Sequence, residues 1–328
     1  MKINRLWLLL LLNYSTARAA TWTVKPDGDN KHQLQQTIDR AGAGDTILVY
    51  PGLYKPDQVV IRKPLHLKGI DFPVIDGSKK YEIIAIVSPG VVIEGLQIQN
   101  SGVSSYKDIA ALSVIETHGV TIRGNRFLNN FFGVYVQLAR NCLIEDNVFK
   151  SNATTELNAA NGIHCWKSDH ITIRNNHIQG HRDGIYFEFV TQSLIENNIS
   201  ENNIRYGLHF MFSHEDTYRN NIFRHNGSGV AVMFTKRVTM TGNTFEKNWG
   251  GASYGLLLKE ISDSYLAGNV FSKNTIGILA DGGTRIKIEG NQFRNNGWAM
   301  KALANCENDT LVRNNFTGNT FDIATNGT

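Results

Sequence analysis

The amino-acid sequence predicts an all-β protein, folded as a right-handed parallel β-helix with rungs of about 22 residues. Three observations lead to this prediction. A short apolar segment that contains a glycine recurs seven times, an asparagine follows each of these glycines by fourteen residues, and a second asparagine column lies five residues beyond the first. The seven pairs are Gly133/Asn147, Gly162/Asn176, Gly184/Asn198, Gly207/Asn221, Gly229/Asn243, Gly255/Asn269 and Gly277/Asn291.

Each repeat alternates apolar and polar residues with a period of two, which indicates strands and turns instead of helices. Copies of such a unit bury their apolar faces by coiling, so that each strand lies parallel to its counterpart one turn away. We expect the asparagines to occupy tight turns, to tolerate a left-handed backbone and to hydrogen-bond to one another along the axis. The second column comprises Asn130, Asn152, Asn203, Asn226, Asn248, Asn274 and Asn296.

The repeats vary in length at one place only, between the second asparagine column and the next glycine. Residues 153–160 and 249–253 are the longer inserts there. One residue after each glycine, an apolar side chain is expected to face the core; these are Val134, Ile163, Ile185, Leu208, Val230, Leu256 and Ile278. A second inward stack, on another wall, is predicted for Phe149, Phe223, Phe245, Phe271 and Phe293.

Three segments precede the regular repeats. Residues 1–19 combine Lys2 and Arg5, a leucine-rich run and an Ala-Arg-Ala site, a pattern typical of a secretory signal peptide cut after Ala19, which predicts export. Residues 31–41 have the pattern of a short amphipathic helix, expected to cap the open end of the β-helix. Residues 45–49 read as the first irregular rung.

A length of 328 residues suggests about two domains, but a solenoid grows by adding rungs, so one domain is predicted over residues 20–328.

The cysteines and the net charge exclude several classes of protein. Three cysteines are too few for a small disulfide scaffold or a zinc site of four thiolates. The register points Cys165 inward and places Cys142 on a different strand, which favours buried free thiols over a disulfide bond. The charge of +4 comes from 33 basic and 29 acidic residues, and three basic residues belong to the signal peptide. The remaining 30 against 29, or +1, imply no nucleic-acid partner.

One outward face differs from an ordinary solvated wall. Residues two and four places after each glycine point outward, and in successive rungs many of them are aromatic, histidine or methionine. An exposed patch of this kind on a rigid wall is typical of a binding surface. The outward pairs are Tyr135/Gln137, His164/Trp166, Tyr186/Glu188, His209/Met211, Ala231/Met233 and Leu257/Lys259.

The residues alone leave three interpretations of this face open. Thioether and imidazole groups suit Cu(I), so that His209, Met211 and Met233, on neighbouring rungs, predict a transient Cu(I) site. A carbohydrate site would use the aromatic rings with Glu188 and Lys259, although no carboxylate cluster for glycoside hydrolysis accompanies them. Alternatively, inserts or a partner subunit cover the wall. The predicted partner or ligand surface comprises His164, Trp166, Tyr186, Glu188, His214 and Lys259.

Four segments carry a resemblance to a known family. Residues 181–189 read His-Arg-Asp-Gly-Ile-Tyr-Phe-Glu-Phe, and residues 205–213 read Arg-Tyr-Gly-Leu-His-Phe-Met-Phe-Ser. Gly-Val-Ala-Val-Met follows at 229–233 and Tyr-Gly-Leu-Leu-Leu-Lys-Glu at 254–260. Together these resemble the NosD family, periplasmic β-helix proteins needed to mature nitrous oxide reductase. The resemblance runs from about residue 21 to the last residue and is more specific than the general β-helix repeat.

The resemblance implies a periplasmic assembly factor and not an enzyme. Such a protein takes copper from a NosL-type chaperone and passes it to nitrous oxide reductase while docked on an ABC transporter of NosF- and NosY-type subunits. The kinship of the fold with alginate epimerase-like and lyase-like β-helices keeps a carbohydrate-active enzyme or a sugar-binding protein as the alternative. Family members usually continue past the segment at residues 321–326, so the resemblance also implies a C-terminal tail that is absent from this sequence.

Overall fold

The computed structural model describes residues 19–26, 31–104, 106–303 and 305–325. The predicted signal peptide lies outside these ranges apart from Ala19. Within them, the chain coils as a right-handed parallel β-solenoid of about 13 turns with about 23 residues in each, which confirms the predicted fold class. Each regular turn contributes one strand to each of three parallel sheets, called sheets A, B and C in the order in which the chain visits them.

Thirteen of the strands described form sheet A: Thr21–Val24, Thr46–Val49, His66–Gly69, Val92–Glu94, Thr121–Arg123, Leu143–Glu145, Thr172–Arg174, Leu194–Glu196, Thr217–Arg219, Thr239–Thr241, Tyr265–Ala267, Lys287–Glu289 and Thr310–Val312. Sheet B comprises Leu53–Tyr54, Val74–Asp76, Gln97–Gln99, Arg126–Leu128, Val148–Lys150, His177–Gln179, Ile199–Glu201, Ile222–Arg224, Thr244–Glu246, Val270–Ser272, Gln292–Arg294 and Asn315–Thr317. Sheet C comprises Val59–Ile61, Ile84–Ile86, Ala110–Ile115, Phe132–Gln137, Ile163–Trp166, Asp183–Glu188, Tyr206–Met211, Ser228–Met233, Leu256–Lys259, Ile276–Asp281, Trp298–Ala302 and Phe321–Thr325.

The amino-terminal end of the solenoid is closed by helix α1, Gln33–Arg40, as predicted. The helix buries Leu34 and Ile38 and packs against the first strands of sheets A and C. The structure adds a strand before the predicted first rung, because Thr21–Val24 pairs with Thr46–Val49. A short 3-10 helix, Glu156–Asn158, lies in the first insert. Over the described ranges, no helix is long and apolar enough to cross a membrane.

Both predicted inward stacks are buried in one continuous core. The side chains one residue after each repeat glycine are at most 1% exposed. On the wall of sheet B, the rings of Phe245 and Phe271 stack at 4.6 Å and those of Phe271 and Phe293 at 4.9 Å. Ile178 and Ser200 occupy the two rungs between Phe149 and Phe223, so the phenylalanine stack is interrupted there.

The first asparagine column forms a hydrogen-bonded ladder between sheets A and B, as predicted. From Asn125 to Asn291, each backbone N–H donates to the side-chain oxygen of the next asparagine at 2.9–3.0 Å. The expectation about the backbone was wrong by one residue. The left-handed conformation belongs to the residue before each ladder asparagine, such as Asp146 with φ 56° and Asn197 with φ 56°. The left-handed residue turns the chain at the corner between the sheets, and the side chain of the asparagine that follows it points into the solenoid.

The second column forms a similar ladder between sheets B and C, from Asn203 to Asn296. Asn152 was predicted to belong to it and does not. This residue is exposed, and its backbone N–H donates to Asn129 Oδ1 at 3.2 Å, because the first insert leaves the solenoid at this corner. His181 takes the ladder position in the next rung, and its N–H donates to Asn203 Oδ1 at 3.0 Å.

The three cysteines are free thiols, and Cys142 and Cys165 are buried, as the predicted register required. Burial raises the pKa of both buried thiols, so they stay protonated and pack as small apolar side chains. Cys306 is partly exposed.

Candidate functional site

The candidate site lies on the outward face of sheet C, where the predicted register is confirmed. Two columns run along this face, and each member pairs with the next across adjacent rungs. The first outward column, two residues after each glycine, comprises Tyr135, His164, Tyr186, His209, Ala231 and Leu257. The second outward column, four residues after each glycine, comprises Gln137, Trp166, Glu188, Met211, Met233 and Lys259.

The first outward column is largely covered, which corrects the expectation that the whole patch is exposed. His209 is only 5% exposed, and Tyr135 and Leu257 are buried as well. Chain segments that lead into sheet C fold over the column. Ala160, at the end of the first insert, packs against Tyr135, and Tyr254, just after the second insert, packs against Leu257. The side chains of the second outward column are half-buried, as are His164 and Tyr186 in the first, so solvent reaches the face at these positions.

Met211 and Met233 occupy neighbouring rungs of the second outward column. Paired strands lie about 4.8 Å apart, so the two thioethers can approach one ion from adjacent strands. Both side chains are half-buried. The hydroxyl of Tyr186 donates to Met211 Sδ at 3.4 Å, whereas Met233 packs against the small apolar cluster around Tyr254.

His209 lies two residues before Met211 on the same strand and therefore points outward with it. Its ring packs on the rings of Tyr186 and Tyr206, with centroids 4.9 and 4.8 Å away. Neither ring nitrogen has a hydrogen-bond partner among the described residues. The nearest acidic group is Asp183, whose Oδ2 lies 3.9 Å from Nδ1, beyond hydrogen-bond distance. The buried imidazole therefore has hydrogen-bonding and lone-pair capacity that no described residue uses.

His164 has a different environment. Its ring lies between those of Tyr135 and Tyr186, at 4.8 and 4.7 Å, and the Asn161 amide lies 3.0 Å from Nδ1. Burial, with a contribution from Arg182, lowers the pKa of His164 to about 3. The imidazole is therefore neutral at physiological pH and acts here as a packed aromatic ring.

Three other predicted surface residues lie in the same column as the methionine pair: Trp166 and Glu188 on the rungs before it and Lys259 on the rung after it. Trp166 lies under the Lys167 ammonium, with 4.4 Å from Nζ to the ring centroid, and Glu188 pairs in register with Met211. Lys259 Nζ lies 3.8 Å from Asp281 Oδ2. His214 is separate from the columns, in the turn after the strand.

That turn also limits what His214 can bind. Its Nδ1 accepts the Lys236 backbone N–H at 3.2 Å, and burial lowers the pKa of its imidazole. Of the six predicted surface residues, His214 is thus the one that the fold places off the wall.

Sequence reasoning missed a buried charge cluster beside His209. Asp183 is fully buried, and its Oδ1 accepts the Tyr206 N–H at 3.3 Å. Arg182 Nε lies 3.7 Å from Oδ2, and Arg205 Nε lies 3.8 Å from Oδ1. The two guanidinium groups compensate the buried carboxylate. The available signal was that three charged residues, Arg182, Asp183 and Arg205, lie at the starts of neighbouring strands.

A second missed feature is the exposed phenylalanine ladder, formed by Phe189, Phe212 and Phe234. They follow Glu188, Met211 and Met233 directly and are 44, 37 and 36% exposed. Their rings stack at 5.2 and 5.0 Å with interplanar angles of 10° and 14°. All three have left-handed backbones, with φ of 54°, 50° and 56°. The signal was available, since each lies five residues after a repeat glycine.

The ligand types of this wall are unusual for a resident metal centre. Across the described ranges, no group of three or more His, Cys, Asp or Glu side chains could hold a metal ion. The candidate set instead combines two thioethers with one imidazole, and soft ligands of this kind suit Cu(I).

Comparison with solved structures shows what the fold is similar to. PfbA, a surface adhesin of Streptococcus pneumoniae, has a TM-score of 0.72 at 13% identity, covering 92% of this chain and 97% of that chain. The catalytic unit of an α-1,3-glucanase from Streptomyces thermodiastaticus has 0.75 at 14%, covering 95% and 68%. The A-module of mannuronan C-5 epimerase AlgE4 from Azotobacter vinelandii has 0.51 at 15%, covering 91% and 94%. At such identities the likeness extends to the fold alone.

Sequence comparison is more specific. A profile of the NosD family, described as periplasmic copper-binding proteins, matches residues 151–328. A Pseudomonas aeruginosa protein named probable ABC transporter binding protein NosD is 30% identical, and the match covers 95% of this chain and 72% of that protein. The profile spans more than half of the chain and includes His209, Met211 and Met233. The chain therefore belongs to the NosD family of periplasmic copper-binding proteins.

Proposed function

We propose that this chain is a periplasmic copper-transfer protein that accepts Cu(I) from a NosL-type chaperone and passes it to nitrous oxide reductase. It does so while bound to an ABC transporter of NosF- and NosY-type subunits, and it catalyses no reaction. The observation that carries the proposal is the half-buried pair Met211 and Met233, in register on adjacent rungs, with His209 two residues before Met211 on the same strand. The description of the family supports the copper, and the name of the Pseudomonas relative supports the transporter.

The ligand chemistry suits transfer better than storage. Thioether groups are neutral and soft, so they bind Cu(I) without losing a proton and release it to a stronger ligand such as a thiolate. Met211 and Met233 reach solvent, which lets a partner's ligand approach the ion before either sulfur leaves. The buried His209 supplies an imidazole nitrogen as the third proposed ligand. Its two ring nitrogens have no other hydrogen-bond partner in the described part of the chain.

The packing of the first outward column also favours transfer over sugar binding. A carbohydrate site needs flat aromatic faces open to solvent. Here the rings of Tyr135, His164, Tyr186 and His209 pack on one another at 4.7–4.9 Å, and Tyr135 and His209 are buried. A panel of acidic and neutral polysaccharides should accordingly give neither product nor binding. Turnover of any of them would support the carbohydrate enzyme instead.

Replacing both methionines with leucine should weaken Cu(I) binding at least tenfold, or about 1.4 kcal/mol. Leucine keeps the apolar volume and removes only the sulfur ligands, so the fold should be unaffected. The measurement is a competition titration against a chromophoric Cu(I) chelator under reducing, oxygen-free conditions. The matched control is Met240→Leu, since Met240 is fully buried in the core. Equal dissociation constants for the wild type and the Met211→Leu/Met233→Leu variant would refute the site.

The phenylalanine ladder is proposed to be the surface on which the chaperone that delivers copper and the reductase that receives it dock. It borders Met211 and Met233 directly, and a partner seated there would hold its own ligand near the thioethers. The three stacked phenylalanines expose apolar surface at a corner with a left-handed backbone. The fold does not require apolar residues at this corner, because Lys167 and Glu260 occupy the same position in flanking rungs.

Phe212→Asn should reduce binding of the chaperone or reductase at least tenfold and leave the Cu(I) dissociation constant unchanged. Asparagine suits a left-handed backbone, so the turn should keep its stability. The measurement is surface-immobilised binding of each purified partner. Tyr106→Asn, which changes an exposed aromatic residue distant in sequence from the ladder, serves as the control. Unaltered binding of both partners to Phe212→Asn would place docking elsewhere.

A further inference from the structure

One hydroxyl group on the wall contacts a candidate copper ligand directly. The Tyr186 O–H donates to Met211 Sδ at 3.4 Å, between adjacent rungs. The Tyr186 ring is held on both sides, by His164 at 4.7 Å and by His209 at 4.9 Å between ring centroids. The position of the donor is therefore set by packing, and the methionine side chain adjusts to it.

The hydrogen bond from Tyr186 restricts the flexible side chain of Met211. Methionine has three rotatable bonds, and ordering such a side chain costs conformational entropy each time that it binds an ion. A hydrogen bond to the sulfur orders the side chain beforehand. The thioether sulfur has two lone pairs, so one hydroxyl leaves the other free for an ion.

The two methionines differ in this respect. Among the residues that the structure describes, no hydroxyl or amide donates to Met233 Sδ, which is placed only by apolar packing around Ala231 and Tyr254. The order imposed by Tyr186 thus applies to one sulfur of the pair.

We propose that Tyr186 is a positioning residue for copper binding, and that its hydroxyl pre-orders the Met211 thioether so that the free lone pair faces the Cu(I) position shared with Met233. The proposal rests on the copper function proposed above. It predicts that the hydroxyl contributes to Cu(I) affinity through Met211 and through no other group.

Tyr186→Phe removes the hydroxyl and keeps the ring between the two histidines. Its Cu(I) dissociation constant should rise about two- to tenfold, the range for one net hydrogen bond. In a Met211→Leu background the same change should have no effect, because the sulfur that it positions is gone. This double-mutant cycle is a readout that a merely structural role would not produce. Tyr135→Phe, in the same outward column two rungs away, is the control and should leave the affinity unchanged.

Three results would overturn the proposal. If Tyr186→Phe binds Cu(I) as tightly as the wild type while Met211→Leu/Met233→Leu binds weakly, the copper site stands and the positioning role fails. The positioning role also fails if Tyr186→Phe weakens binding equally with and without Met211. If Met211→Leu/Met233→Leu itself retains full affinity, the copper function fails and the positioning role fails with it.

Discussion

Asn221→Ala is expected to lower the free energy of unfolding by about 3–5 kcal/mol. The side chain is completely buried in the first ladder. Its Nδ2 donates to the Ile195 carbonyl at 2.9 Å and to Asn243 Oδ1 at 3.0 Å, while its Oδ1 accepts two N–H groups of Asn198 at 3.0 Å. Alanine removes these four hydrogen bonds and leaves the buried Asn198 backbone N–H without its acceptor. An orphaned buried group costs about 1–3 kcal/mol, and each further lost hydrogen bond costs about 0.5–1.5 kcal/mol.

Chemical denaturation followed by circular dichroism measures this loss. The adjacent Asn220 supplies the control, because it is exposed and has a left-handed backbone with φ 56°. Asn220→Gly should change stability by no more than about 0.5 kcal/mol, since glycine adopts this conformation without strain. Similar midpoints for Asn221→Ala and the wild type would show that the ladder adds little.

Gly229→Ala is expected to destabilise the solenoid by about 2–3 kcal/mol, as overpacked core positions do. An added Cβ would lie 2.2 Å from the Gly255 carbonyl oxygen of the next rung and 2.9 Å from Asn248 Nδ2. The first of these atoms is backbone, so the rungs must separate to admit a methyl group. The φ of Gly229 is not in the left-handed region, so that space alone requires glycine here.

The matched control for this prediction is Gly251→Ala in the second insert. No heavy atom lies within 4 Å of a Cβ added there, and the backbone is not left-handed. Its thermal midpoint should equal that of the wild type, whereas Gly229→Ala should melt several degrees lower. A Gly229→Ala protein with an unchanged midpoint would mean that neighbouring rungs yield without cost.

The repeat predicted much of the candidate site correctly, because side chains alternate strictly along a strand. Once the repeat glycines are aligned, the residue four places later must point outward on every rung, and parallel pairing brings Met211 beside Met233. The same reasoning placed Val134 and its counterparts in the core. The asparagine ladder followed as well, since a fixed spacing stacks identical amides along the axis.

The covering of the wall could not be predicted in this way. Whether an outward side chain is exposed depends on the segments that fold over it, and these include the two inserts, which have no counterpart in other rungs. Ala160, at the end of the first insert, and Tyr254, next to the second, lie in the apolar clusters that contain Tyr135 and Leu257. The exclusion of Asn152 from the second ladder has the same cause, because the chain departs from the solenoid there.

By itself, the sequence determined the β-helix, its register, its capping helix and the identity of the side chains on each wall, because these follow from a local period repeated many times. Only the tertiary structure decided which of those side chains meet solvent. It covered His209, left Met211 and Met233 half-exposed and placed Asp183 between two arginines. The physical reason is that alternation sets the direction of a side chain, whereas its exposure depends on which neighbouring side chains and segments pack over it.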